Sequence, residues 1–185
     1  MRKNFGAKPF IYPQPVLIIG TYQDDGTPNA MNAAWGSIAD YGQIAIYLAD
    51  HNTTRNIFKR KGFTVSMATV KEVVACDYVG VVSADKEPNK IEKAGWHAIK
   101  SELVDAPYFE ELPLALECEI ISFDEESELL VGEIKNVCAD ESILSEDGKI
   151  DPSKLQPITY DPVNHKYIAL GDIVGNVFKD GLKLK

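Results

Sequence analysis

Asn29-Ala30-Met31-Asn32-Ala33-Ala34-Trp35-Gly36 is the stretch on which the fold turns. It combines small side chains, two carboxamides, a flexible thioether and one large aromatic. A strand that only fills a core carries β-branched residues instead. Small side chains let a ligand approach the backbone, and Asn offers donors and acceptors to a planar polar edge. The turn Asp24-Asp25-Gly26-Thr27-Pro28 precedes it, and the apolar run Val16-Leu17-Ile18-Ile19-Gly20 precedes that turn. Read for structure alone, the stretch also suits a hairpin strand with a buried Trp35 and two turn-like asparagines.

Outward from this stretch, strands are expected near 16–22, 29–38, 43–49 and 63–68, with Gly-marked turns that fit an antiparallel meander. Two longer strands follow near 113–123 and 129–139, joined as a hairpin by Asp124-Glu125-Glu126-Ser127. Further strands are expected near 166–171 and 175–179. Thr54–Lys61 reads as a short helix, with Ile57 and Phe58 inward, Arg55, Lys59 and Arg60 outward, Thr53 as N-cap and Gly62 as stop. Lys71–Val82 reads as a second, mostly buried helix in which Gly80 allows close packing, and Pro88–Ala94 as a third, ended by Gly95. The acidic segments 101–111 and 140–147 read as solvated loops. The fold class is mainly β, a β-barrel with helical insertions.

The chain has 185 residues, 45% hydrophobic and 25% charged, which suits a single globular domain over 1–185. No repeat, low-complexity segment or linker divides it. The net charge of −9 disfavours nucleic acid, because phosphate backbones need a basic surface. No apolar run approaches the roughly 20 residues of a membrane span. The N-terminus lacks the apolar core of a signal peptide, so a cytoplasmic address is expected. Cys76, Cys118 and Cys138 have no metal-ligand spacing, and His51, His97 and His165 do not cluster, so no metal is expected. Cys118, alternating with Leu114, Leu116 and Ile120, reads as a small buried hydrophobe, and Cys138 as similar. Phe58, Trp96 and Tyr108 read equally as core or as an apolar surface patch.

Two further segments carry chemistry. Asp50-His51-Asn52-Thr53-Thr54-Arg55-Asn56-Ile57 stands between a strand and a helix. A helix start offers free N–H groups and a partial positive charge, and two hydroxyls with a nearby Arg complete a place for phosphate. The same residues also serve as an ordinary cap with a surface Arg. Ser83-Ala84-Asp85-Lys86-Glu87-Pro88-Asn89-Lys90-Ile91 is a polar loop entering a short helix, where Lys90 offers an ammonium to an anion or simply sits on the surface.

Taken together, the three segments resemble the flavin-reductase-like, FMN-binding split β-barrel proteins, and among them the flavoredoxins. The resemblance covers nearly the whole chain. It includes Cys76-Asp77-Tyr78-Val79-Gly80, Val131-Gly132-Glu133-Ile134 and Tyr167-Ile168-Ala169-Leu170-Gly171, while Asp85-Lys86 stands where many relatives have a more glycine-like loop. The resemblance implies FMN as cofactor. Asn29 and the backbone of Met31, Asn32, Ala33, Ala34 and Trp35 would edge the isoalloxazine, with Trp35 beside the ring. Thr53 or Thr54, together with Lys90, would bind the phosphate, with His51 and Arg55 as neighbours, Ser83 contributing and Tyr160 covering the flavin. It further implies a homodimer with the cofactor near the subunit interface.

The chemistry would belong to the flavin, with no catalytic side chain. Cys76 has no partner thiol nearby in sequence and reads as packing rather than redox. The electron donor would be NAD(P)H, stacking directly on the flavin since no Gly-x-Gly-x-x-Gly stretch is present, or another protein. The contrasting reading is a non-catalytic flavin-binding module for storage or sensing.

Overall fold

The structure is a computed structural model that describes residues 1–185. Strand β1 (Gln14–Pro15) runs through Val16 into β2 (Leu17–Tyr22), followed by β3 (Pro28–Ala33), β4 (Gly36–Asp40) and β5 (Gln43–Tyr47). Helix α1 (Asn52–Arg60) leads to β6 (Gly62–Met67), α2 (Val73–Val81) and the single turn α3 (Lys90–Lys93). A small hairpin of β7 (Ala98–Lys100) and β8 (Pro107–Phe109) precedes the long pair β9 (Leu114–Asp124) and β10 (Leu129–Ala139). The short helix α4 (Pro152–Leu155), β11 (Ile158–Asp161) and β12 (Lys166–Ala169) follow.

Seven strands form one antiparallel sheet in the order β3-β2-β6-β9-β10-β5-β4. Its two edges, β3 and β4, are consecutive in the chain, with only Ala34 and Trp35 between them. In a flat sheet six inter-strand gaps of about 4.8 Å would hold the edges about 29 Å apart. The three Cα steps from Ala33 to Gly36 span at most about 11 Å. The sheet must therefore curl until its edges nearly meet, as a barrel split at Trp35. Register shifts between Val131 and Gly132 and between Ile134 and Asn136 supply local bends in β10. Gly132 permits the curl against Phe63, whose Cζ lies 2.5 Å from where a Cβ would stand. A second sheet, β1-β11-β12, lies beside the barrel.

Strand β2 shows why its run is apolar without alternation. Leu17 and Ile19 point into the barrel with Ile44, Ile46, Phe63, Val65 and Leu130. Val16 and Ile18 point to the opposite face, where Cys76 and Val79 of α2 pack with Trp96, Phe109 and Ile158. A strand buried on both faces reads as a continuous hydrophobic run. Cys118 is fully buried in the barrel core, as its alternation predicts, and Trp96 is core rather than surface patch. No helix is long and apolar enough to cross a membrane.

Several sequence expectations are corrected. The single strand expected over 29–38 is two strands, because residues 34–35 carry the chain across the split. Helix α1 begins at Asn52 with His51, not Thr53, as its N-cap, and it ends on Lys61 in the left-handed region at φ 63°. Gly62 is already the first residue of β6. Helix α2 is buried only on the face of Cys76 and Val79, while Val74 and Val81 are exposed. The segment 101–111 contains β8, and 175–179 forms no strand. Chain-distant pairing of β1 with β11 leaves no local periodicity in either short strand.

Candidate functional site

The curl leaves two adjoining cavities that share Met31, Asn32 and His51 in their walls. The larger, about 520 Å³, lies at the split and is lined mainly by apolar and aromatic groups. Ala33, Ala34 and Trp35 form one wall, Tyr47, Leu48 and Ala49 another, and Tyr160 and Tyr167 a third. Trp35 is 54% exposed, so it serves the cavity wall and not the core. His51 is the basic side chain on this wall and Glu128 the acidic one.

The smaller cavity, about 270 Å³, is polar and lies between the start of α1 and the end of α2. The amides of Asn52, Thr53 and Thr54 precede the first intrahelical bond, from Arg55 N–H to His51 O at 3.1 Å, so the helix leaves them unpaired. No side chain caps them. Thr53 lines this cavity, whereas Thr54 turns inward and donates to Ala49 O at 2.7 Å. Asn29, 1% exposed, donates from Nδ2 to Thr53 Oγ1 at 2.8 Å and to Asn52 Oδ1 at 3.2 Å. Asn29 lines this cavity, but its Oδ1 is buried from solvent and has no hydrogen-bond partner.

Lys90 is 3% exposed, which excludes the surface reading of this residue. Its ammonium donates to Val79 O at 3.0 Å and Val82 O at 2.7 Å, carbonyls that the end of α2 leaves unpaired. Burial depresses its pKa to about 8, with the nearby Asp85 carboxylate opposing. Gly80 lets α2 approach β3: a Cβ there would lie 2.7 Å from Asn32 Cβ. Asn32 in turn donates to Cys76 O at 3.1 Å and to Tyr167 Oη at 3.4 Å. Tyr167 donates to Asp77 Oδ1 at 2.7 Å, and burial with that carboxylate pushes its pKa up to about 12. Tyr160 Oη meets His165 Nδ1 at 2.8 Å.

An apolar slot continuous with a polar pocket, the latter carrying a helix start and a buried ammonium, fits an aromatic ring with an anionic tail. The family model described as "Flavin reductase like domain" matches residues 10–162. The chain belongs to the flavin reductase like family. Flavoredoxin of Desulfovibrio vulgaris (Miyazaki F) is 37% identical, with 98% of this chain and 100% of that chain covered at a TM-score of 0.93. Flavoredoxin from Methanosarcina acetivorans is 27% identical over 100% of both chains, at a TM-score of 0.88. An uncharacterized protein of Aeropyrum pernix is 29% identical over 133 residues, 69% of this chain and 50% of that protein, so the chain spans half of that relative's length.

In this flavin reductase like domain, the two cavities gather Asn29, Met31, Asn32, Ala33, Ala34, Trp35, His51, Thr53, Ser83, Lys90 and Tyr160. Thr54 and Arg55 stand apart from both walls. Arg55 faces the other side of α1, paired with Asp50 at 2.9 Å and Asp85 at 3.2 Å. Sequence reasoning missed Tyr47, Tyr167 and Asn52. Tyr167 was within reach as an aromatic of the C-terminal strand, but its partners Asp77 and Asn32 are far away in the chain. Burial pushes the Cys76 thiol up to about 12, which leaves it no thiolate for redox work at neutral pH. His97, Glu110 and Glu111 converge on the surface away from both cavities, where the His97–Glu111 contact of 2.6 Å is accounted for as an ion pair.

Proposed function

We propose that this chain binds FMN and passes electrons through it, as a flavoredoxin-type redox protein. The observation that carries this is the shared wall of Met31, Asn32 and His51, which joins the aromatic slot to the polar pocket at the start of α1. The residues fit the group: the uncapped amides of α1 need an anion, and the buried ammonium of Lys90 lines the same pocket. Thr53, the 52–54 amides and Lys90 would hold the phosphate. Ser83 lies on the same wall, and Thr54 is left to its structural bond with Ala49. Trp35, Tyr160 and Tyr167 would flank the ring, with Asn32 held in place by Cys76 O and Tyr167.

Bound FMN supplies reversible electron storage. The protein's part is to hold the ring, limit water and set the charge around it. No side chain acts as nucleophile. The donor is NAD(P)H stacking on the flavin from the exposed Trp35 side, or a protein docking there. Anaerobic addition of NADH and NADPH to the yellow protein decides between them: bleaching supports a reductase, and indifference with reduction by a protein donor supports a carrier. A protein that takes up no FMN would refute both. A yellow protein that no donor reduces would support the storage or sensing module instead.

The functional unit we propose is a homodimer. Residues 1–13 form an exposed arm, and Ile173, Val174, Val177, Phe178 and Leu184 of the C-terminal segment are largely exposed. An apolar arm of this size is normally covered. Three unpaired thiols suit a reducing compartment such as the cytoplasm.

A further inference from the structure

Behind the polar pocket lies a chain of amides that begins at a carboxylate. Asp85 Oδ1 accepts from Asn52 Nδ2 at 2.8 Å. Asn52 Oδ1 accepts from Asn29 Nδ2 at 3.2 Å and from Asn56 Nδ2 at 3.1 Å. Asn29 Nδ2 also donates to Thr53 Oγ1 at 2.8 Å. An ionised carboxylate only accepts, whereas a carboxamide has a donating and an accepting end. Asp85 therefore decides which end of Asn52 faces it, and each later group inherits the direction. Asn52 must turn its oxygen to Asn29, and Asn29 must spend both N–H groups on Asn52 and Thr53. One group is left over at the cavity wall. Thr53 Oγ1 already accepts, and its hydroxyl hydrogen has no acceptor in the protein. Asn29 Oδ1 is buried with no donor.

We propose that Asp85 is a positioning residue that sets the polarity of the Asn52–Asn29–Thr53 relay, so that the pocket presents the Thr53 hydroxyl as a hydrogen-bond donor. That donor matches a phosphate, whose oxygens accept. The inference rests on the FMN reading above and names how this chain selects the phosphorylated flavin over the unphosphorylated one. Arg55, 3.2 Å from Asp85 Oδ2, offsets the negative charge beside an anion pocket. The side chain of Asp85 is 56% exposed, so its replacement does not breach a core.

The decisive variant is Asp85→Asn, because the relay and simple electrostatics give opposite signs. If only charge mattered, losing a carboxylate near the pocket would tighten FMN. In the relay, Asn at 85 lets the amides invert together, Asn56 with Asn52 and Thr21 then donating to Asn56, so Asn29 Oδ1 accepts from Asn52 and from Thr53, and the Thr53 donor is withdrawn. Losing one hydrogen bond to a charged group lowers affinity by about tenfold or more. We therefore expect Asp85→Asn to weaken FMN about tenfold, leave riboflavin nearly unchanged and keep the apo melting temperature. In a Thr53→Val background the same change should have little further effect on FMN. FMN binding as tight as or tighter than the parent, equal losses for both flavins, or additivity with Thr53→Val would each overturn the relay. Failure of the underlying reading is distinct: the parent itself would then not bind FMN, or not prefer it to riboflavin, and the relay would fall with it.

Discussion

The buried ammonium of Lys90 links flavin affinity to pH, and its variant Lys90→Met isolates the effect. An unfolded lysine keeps its proton to about 10.5, but in the folded chain burial lowers the pKa to about 8. Between those values the unfolded state binds the extra proton, so apo-protein stability rises with pH across that window. A phosphate dianion in the pocket reverses the local balance and favours the charged form. At pH 7 Lys90 is already about nine-tenths charged, and at pH 9 only about one-tenth. FMN binding should thus take up about 0.1 proton at pH 7 and about 0.9 at pH 9, and affinity should fall by about tenfold per pH unit above 8 until the loaded pKa is passed. Titration calorimetry in buffers of different ionisation enthalpy reads the proton count directly. His51 shares the wall and Asp85 lies nearby, so the comparison is parent against Lys90→Met, which should show little pH-dependent uptake over this range. Removing the ammonium leaves Val79 O and Val82 O unpaired and should cost about 1–3 kcal/mol in apo stability. Equal uptake in parent and variant at pH 9, or none in either, would show that Lys90 does not face the phosphate.

Trp35→Phe should shift the bound-flavin spectrum or reduction potential while the apo stability moves by about 0.5 kcal/mol or less, because Trp35 is more than half exposed. Thr54→Ala should lower apo stability by about 1–2 kcal/mol through the lost bond to Ala49 O, yet leave the FMN-to-riboflavin affinity ratio unchanged; a changed ratio refutes its exclusion from the phosphate site. Gly80→Ala sets a Cβ 2.7 Å from Asn32 Cβ, so melts should show a net loss of about 1–2 kcal/mol despite the helix-propensity gain, with weaker flavin binding as Asn32 is displaced. Deleting residues 172–185 should turn a dimer into a monomer by light scattering; an unchanged mass removes this arm from the interface.

Most strands and the barrel class were legible in the sequence, and eleven of the positions that the family resemblance implies for the flavin line the two cavities. The reason is local: the Val16–Ile19 run, the small-residue stretch before Trp35 and the helix start after His51 each carry their signal within a few residues. Tertiary structure alone decided that Trp35 sits at a split and that Thr53 rather than Thr54 reaches the pocket. It also decided between the two readings of Lys90, burying it where it closes α2. Arg55, attractive in sequence as a phosphate neighbour, is drawn away by Asp50 and Asp85. These outcomes depend on which groups become neighbours when the sheet curls and α2 packs on β3. Burial, ammonium pKa and amide direction are properties of those contacts, and no periodicity along the chain encodes them.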